Sequence, residues 1–144
     1  MTPQKRARAC ADLMWANDRA SQALGMRITA IAPGSATLSM LVRDDMLNGH
    51  GMCHGGMIFT LADSAFAFAC NTYNVLTVAQ SNQITYLAPG VANDTLTATA
   101  TEVARLGRSG TYDVMVTNTA GDKIALFRGL SRTIKGQHFD EDTA

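Results

Sequence analysis

Residues 57–70 read Met-Ile-Phe-Thr-Leu-Ala-Asp-Ser-Ala-Phe-Ala-Phe-Ala-Cys, and a helical wheel gives this stretch no polar side. A helix apolar on every face has to be covered all round. The stretch falls short of the roughly 20 residues that cross a bilayer, and Asp63 interrupts it. Other elements must therefore wrap it, and the remaining sequence decides which. The chain has 144 residues, enough for one domain that buries roughly two-thirds of the surface its unfolded form exposes. Residues 1–135 contain no repeat, linker or low-complexity segment and are expected to form a single domain.

Downstream of the helix the pattern turns to period two. Residues 78–87 read as a strand that stops before Pro89-Gly90. Thr95, Thr97, Thr99 and Thr101 alternate with Leu96, Ala98 and Ala100, which makes the threonines the outer face of a strand. Tyr112, Val114 and Val116 alternate next, and residues 124–134 follow an Ala120-Gly121-Asp122 turn. Upstream, residues 26–42 read as a hairpin around Pro33-Gly34, with Leu38, Met40 and Val42 on one face. Ahead of it, Ala7, Cys10, Ala11, Met14 and Trp15 fall at helical spacing, and Asp18 can cap a short second turn ending at Gly25. The expected class is α+β: about six largely antiparallel strands folded around one central helix, with an extra N-terminal helix. The tail, residues 136–144, carries Asp140, Glu141 and Asp142 and is expected to be disordered.

Twelve Lys and Arg balance twelve Asp and Glu, which excludes the basic surplus of a nucleic-acid binder. Charged residues make up 17% and apolar residues 47%. A small chain this poor in charge has apolar surface to hide, so a homo-oligomer is expected. Cys10, Cys53 and Cys70 are odd in number and irregularly spaced, and do not form a disulfide framework. Lys5, Arg6 and Arg8 lead into a helix broken by Asp12 and Asp18 rather than into an apolar signal core. A reduced, cytoplasmic protein that binds neither membrane nor nucleic acid is the expectation.

Asp63 is the sharpest anomaly. It lies about two turns into the helix, beyond the reach of an N-cap, among Leu61, Ala62, Ala65 and Phe66. Burial raises the pKa of such a carboxyl unless it is paired, so it reads either as a buried ion pair or as a functional acid. The second feature is Asn48-Gly-His-Gly-Met-Cys-His54-Gly55-Gly56, which runs straight into the helix. Glycines admit a ligand close to backbone N–H groups, and a helix start offers unsatisfied donors with partial positive charge. That suits an oxyanion hole; the alternative is a loop that only turns the chain. His50, Cys53 and His54 lack a fourth partner for zinc and a third group for a Cys-His pair. His54 is expected to bond the loop and helix start. Arg105-Leu-Gly-Arg108-Ser109 forms a basic turn that, with Arg132 and Lys135, can receive phosphates or can simply be solvated.

The run His54-Gly-Gly, six residues, then Asp63, with Asn48 six residues ahead, resembles the hotdog-fold acyl-CoA thioesterases, and among them the phenylacetic acid degradation branch. The likeness continues through Tyr86-Leu-Ala-Pro-Gly90, residues 94–100 and Ala125-Leu-Phe-Arg-Gly129, and so covers most of the chain. It implies a curved antiparallel sheet wrapped around the central helix, a homodimer with one continuous sheet, and a tetramer of two dimers. It further implies active sites at the dimer interface, where Asp63 of one subunit faces the helix start of the other. The Gly55 N–H would polarise the thioester carbonyl, Asp63 would attack or activate water, and Asn48 would place the water or the carbonyl. Ser64 stands where relatives often have threonine and can still hydrogen-bond the carboxylate. His54, Gly56, Arg108 and Ser109 would contact the acyl-CoA substrate, Arg108 and Ser109 at its phosphates. Neither metal nor organic cofactor is implied, since coenzyme A enters as part of the substrate. The implied activity is hydrolysis of phenylacetyl-CoA or ring-hydroxylated phenylacetyl-CoA. The competing readings are an acyl-CoA sensor or carrier without chemistry and a hydratase on the same fold. The acyl pocket is expected near Met46, Leu47, Phe59 and the partner subunit.

Overall fold

The computed structural model describes residues 1–141. In chain order these form α1 (Pro3–Asn17), α2 (Arg19–Ala23), β1 (Arg27–Ala32), β2 (Ser35–Leu41), a 3-10 turn (Asp44–Met46), α3 (Gly55–Cys70), β3 (Thr77–Tyr86), β4 (Thr95–Leu106), β5 (Ser109–Thr117) and β6 (Lys123–Thr133). Thr2 caps α1 through the Lys5 N–H, with Pro3 in the first turn, and Ala7, Cys10 and Ala11 are its buried face. Asp18 caps α2, and Gly25, at φ 71°, ends the turn that follows.

The strands form one antiparallel sheet in the order β1-β2-β4-β5-β6-β3. All six pack against α3. Six strands side by side span roughly 24 Å, about twice the width of a helix, so all can touch one helix only if the sheet curls around it. Register shifts in the β1/β2, β3/β6, β4/β5 and β5/β6 pairs supply the local bending. Inward residues are small where the helix comes close: Ala36, Ala98, Ala100 and Ala125 on the strands face a helix carrying Ala62, Ala65 and Ala69, all buried. At Gly129 a Cβ would lie 2.7 Å from the Phe66 ring, so glycine there sets how near β6 and α3 approach. Thr95, Thr99 and Thr101 are exposed on the outer face.

The helix is not covered all round within one chain. Gly56, Phe59, Thr60, Asp63, Ser64 and Ala67, spaced three and four apart, form a stripe that stays partly or fully exposed. The reason is that the sheet wraps only one side. At the far end of the sheet, among the described residues, β3 pairs with β6 alone and its other edge is unpaired, with Val78, Tyr86 and Leu87 exposed nearby.

The tail departs from the expected disorder as far as it is described. The Gly136 carbonyl accepts the Leu76 N–H at 3.0 Å. Asn74, buried and at φ 59°, accepts the N–H groups of His138 and Phe139 and donates to the Phe139 carbonyl and to Glu141. Glu141 in turn meets Arg6 of α1 at 2.9 Å. One asparagine just past the end of α3 thus ties down a segment whose composition alone suggested solvent. Residues 142–144 lie outside the described residues. Among the described residues no helix is long and apolar enough to cross a membrane.

Candidate active site

The start of α3 is built by His54. Its backbone is extended (φ −60°, ψ 134°), and its ring Nδ1 accepts the Gly56 N–H at 2.9 Å, while its carbonyl accepts those of Met57 and Ile58. The Gly55 N–H is left with no acceptor among the described residues. It is therefore an open donor at the positive end of the helix dipole. The Tyr86 hydroxyl donates to the Gly55 carbonyl at 2.8 Å, and a Cβ on Gly55 would meet the Tyr86 ring at 3.1 Å.

Asn48 shapes the loop that precedes this helix. Its Oδ1 accepts the His50 and Met52 N–H groups at 2.9 and 3.1 Å, and its own N–H donates to the Met52 carbonyl. Gly51, at φ 76°, makes the turn. The loop is pinned below by Cys53 N–H on the Gly90 carbonyl and His54 N–H on the Met46 carbonyl. The side-chain amide Nδ2 of Asn48 has no acceptor among the described residues. Asn48, Gly55, Ile58, Tyr86 and Leu87 line a largely apolar pocket of about 340 Å³.

Asp63 stands apart from that pocket. Eight residues beyond Gly55, it is about 12 Å further along the axis and about 80° around it. Its Oδ1 accepts the Asn82 Nδ2–H at 3.0 Å across from β3. Oδ2 has no partner among the described residues. Burial raises the Asp63 pKa, and the Asn82 hydrogen bond offsets part of that rise. Ser64 is not beside the carboxylate: its hydroxyl lies 3.1 Å from that of Ser21, which donates to Asp18 at 2.7 Å. Consecutive helix residues point about 100° apart, so while Asp63 faces β3, Ser64 faces α2.

Arg108 and Ser109 gather at the other end of the helix. With Cys70, Tyr73, Arg105 and Tyr112 they line a second pocket of about 360 Å³. Arg108 is exposed and has no ion-pair partner among the described residues, whereas the Arg105 guanidinium lies 3.4 Å over the Tyr73 ring. Met46, expected near the acyl group, is core at 1% exposure; Phe59 is half-buried and packs edge-on to Phe127. The cysteines do not suit nucleophilic work: burial raises the Cys53 thiol and pushes Cys70 up to about 12. His54 Nδ1 is committed to its own helix. The sequence alone assigns no role to two residues found here, Tyr86 and Asn82. Asn82 shares the helix-facing register of β3 with Ile84, which emerges only once the strand is placed against the helix.

The thioesterase superfamily matches residues 50–125, which include the glycine-led helix start, Asp63 and Asn82. The chain belongs to that superfamily and is a thioester hydrolase on the hotdog fold. It is 46% identical over 127 residues to the acyl-coenzyme A thioesterase PaaI of Escherichia coli strain K12, covering 88% of this chain and 90% of that protein. A solved structure of the E. coli PaaI protein from the phenylacetic acid degradation operon superimposes with a TM-score of 0.93 at 43% identity, covering 94% of this chain and 99% of that one. The Streptococcus mutans protein smu.793 bound to acetyl CoA matches with a TM-score of 0.75 at 26% identity, covering 78% of this chain and 90% of that one.

Proposed function

We propose that this chain hydrolyses acyl-CoA thioesters, with phenylacetyl-CoA and its ring-hydroxylated forms as preferred substrates, and that it works as a dimer. The observation that carries the reading is the pairing of an open helix-start N–H at Gly55 with a half-buried carboxylate, Asp63, whose Oδ2 is uncommitted. The thioester carbonyl oxygen accepts the Gly55 N–H. Water attacks the carbonyl carbon as Asp63 Oδ2 takes its proton, forming the C–O bond and a tetrahedral oxyanion. Collapse breaks the C–S bond, and the thiolate of coenzyme A recovers the proton. One oxyanion donor contributes about 10²–10³ in rate and a placed base about 10²–10⁴. A thioester is already activated, so the reaction draws on no group beyond the chain's own side chains and backbone. The Asn48 amide Nδ2 is available to hold the water or the carbonyl.

Gly55 and Asp63 of one chain lie too far apart to share a carbonyl, so a second copy completes each site. The unpaired edge of β3 supports that arrangement, since a long open edge is stable only when blocked or paired. Exposed Met115, Leu126 and Leu130 on the outer sheet face support association of two such dimers into a tetramer. Arg108, whose charge is uncommitted, and Ser109 beside it in the same pocket are assigned to the coenzyme A phosphates. The aryl-acetyl preference and a place in phenylacetate breakdown rest on the likeness to the E. coli PaaI protein. The buried, unpaired thiols of Cys10, Cys53 and Cys70 suit a reducing cytoplasm.

Free-thiol release from phenylacetyl, hydroxyphenylacetyl, benzoyl and aliphatic CoA esters tests the reading, with Asp63→Asn run alongside. The expected result is a preference for aryl-acetyl esters and a loss of at least about a hundredfold in the variant. Near-normal turnover in Asp63→Asn would remove the assigned base. Binding without thiol release from any ester would replace catalysis with acyl-CoA sensing or carriage.

A further inference from the structure

Asn82 sits on a strand that is otherwise almost wholly exposed, with its side chain turned toward α3. Its Nδ2 holds Asp63 Oδ1 at 3.0 Å, and its own Oδ1 is buried without a hydrogen-bond partner among the described residues. A buried carbonyl left unpaired is as unfavourable as a lost hydrogen bond, and an apolar side chain of the same shape would avoid it. A residue serving only to fasten β3 to α3 would not bring that penalty. What the amide provides, and a leucine would not, is a donor to the carboxylate. It is the sole donor to Asp63 among the described residues.

We propose that Asn82 is a positioning residue for hydrolysis: by clamping Oδ1 of Asp63 it fixes the plane of the carboxylate and leaves Oδ2 as the one oxygen that takes the proton from water. The inference rests on Asp63 being the base. An unclamped carboxylate rotates about its last torsion and presents either oxygen at varying angles, and small misplacements of a reacting group lower rates steeply. The clamp also favours the ionised carboxylate against burial. Burial and the Asn82 bond are the influences on Asp63, and its charge in turn raises the Cys70 thiol on α3 itself. The hydrogen bond is thus the principal influence opposing desolvation there.

The test is Asn82→Leu in the full chain, alone and combined with Asp63→Asn, measured as thiol release across pH. The expected result for Asn82→Leu is a fall in kcat of about tenfold to a hundredfold, little change in KM, and an acid limb displaced to higher pH. In the Asp63→Asn background the second substitution should lower the residual rate no further. Unchanged kcat and an unmoved acid limb in Asn82→Leu, beside a dead Asp63→Asn, would overturn the role of Asn82 alone. An equal loss in both backgrounds would also overturn it, because Asn82 would then act on folding rather than through Asp63. Full activity of Asp63→Asn would remove the base reading instead. Should Asn82→Leu fail to fold, the isosteric Asn82→Asp reads the same acid limb: two carboxyls would share one proton and the limb should again move up, while an unmoved limb would overturn the proposal.

Discussion

A carboxyl held in partly apolar surroundings parts with its proton late, and Asp63 pays for its readiness to accept one with reduced stability. Its folded pKa is raised above that of an aspartate in the unfolded chain. The unfolded state therefore ionises first. The contribution of Asp63 to stability is fully present below the ordinary aspartate range and is lost as pH rises through the raised folded value. Asp63→Asn should therefore melt at a higher temperature than the native protein near neutral pH, and the difference should vanish below about pH 4. Thermal melts at the two pH values check this; a lower melting temperature for the variant at neutral pH would show that the charge is stabilised after all. Much at this scale was legible beforehand. The position of Asp63 and the glycines after His54 announced themselves through residue type and spacing. Asn82 did not, because an amide in a strand carries no signal until its register against the helix is known. Ser64 meets a similar limit: adjacency in sequence places two helix residues on different faces, and its hydroxyl lies against Ser21.

The elements owe their closeness to missing side chains. Alternation on β2, β4 and β5 is readable as period-two patterning, β6 as the segment after the Ala120-Gly121-Asp122 turn, and helix α3 from its apolar faces and the glycines before it. The tightness of their contact was not readable, since it depends on Gly129 lying against Phe66. Phe66 in turn touches Tyr112 and Phe127, with ring centroids 5.7 and 5.8 Å apart, so it has little room to yield. Gly129→Ala should lower the denaturant midpoint by an amount equivalent to about 1–3 kcal/mol, the range for overpacking a well-filled core. An unchanged midpoint would show that the helix can slide outward freely. The charges of residues 136–141 point to solvent, while the group that holds the segment, Asn74, lies far back in the sequence just past α3.

At the level of the whole molecule, the proposed dimer has each chain supply two half-sites rather than one site. Gly55 is the first residue of α3, a position where proline is well tolerated, and His54 before it already has the extended backbone that proline demands. Gly55→Pro thus removes the open N–H while keeping the helix start, asking only that the Tyr86 ring shift slightly. If each site joins Asp63 of one copy to Gly55 of another, Gly55→Pro and Asp63→Asn should each be inactive alone. Mixed subunits should regain about a quarter of native activity, because half the dimers are mixed and each holds one intact site. Turnover after co-refolding the two variants reads this, and no recovery would place both groups in one chain. The low charge content points to association in the sequence alone, and the sheet order adds the edge and face that the proposed dimer and tetramer would use. The architecture leaves an optical consequence as well. The chain has a single tryptophan, Trp15 on α1, whose ring lies 6.3 Å from that of Phe68 near the end of α3. Phe68 is roughly 20 Å along the helix from Gly55. Indole emission is therefore a one-site gauge of whether α1 stays seated, and it reads that event separately from whatever enters the pocket at the other end of the helix.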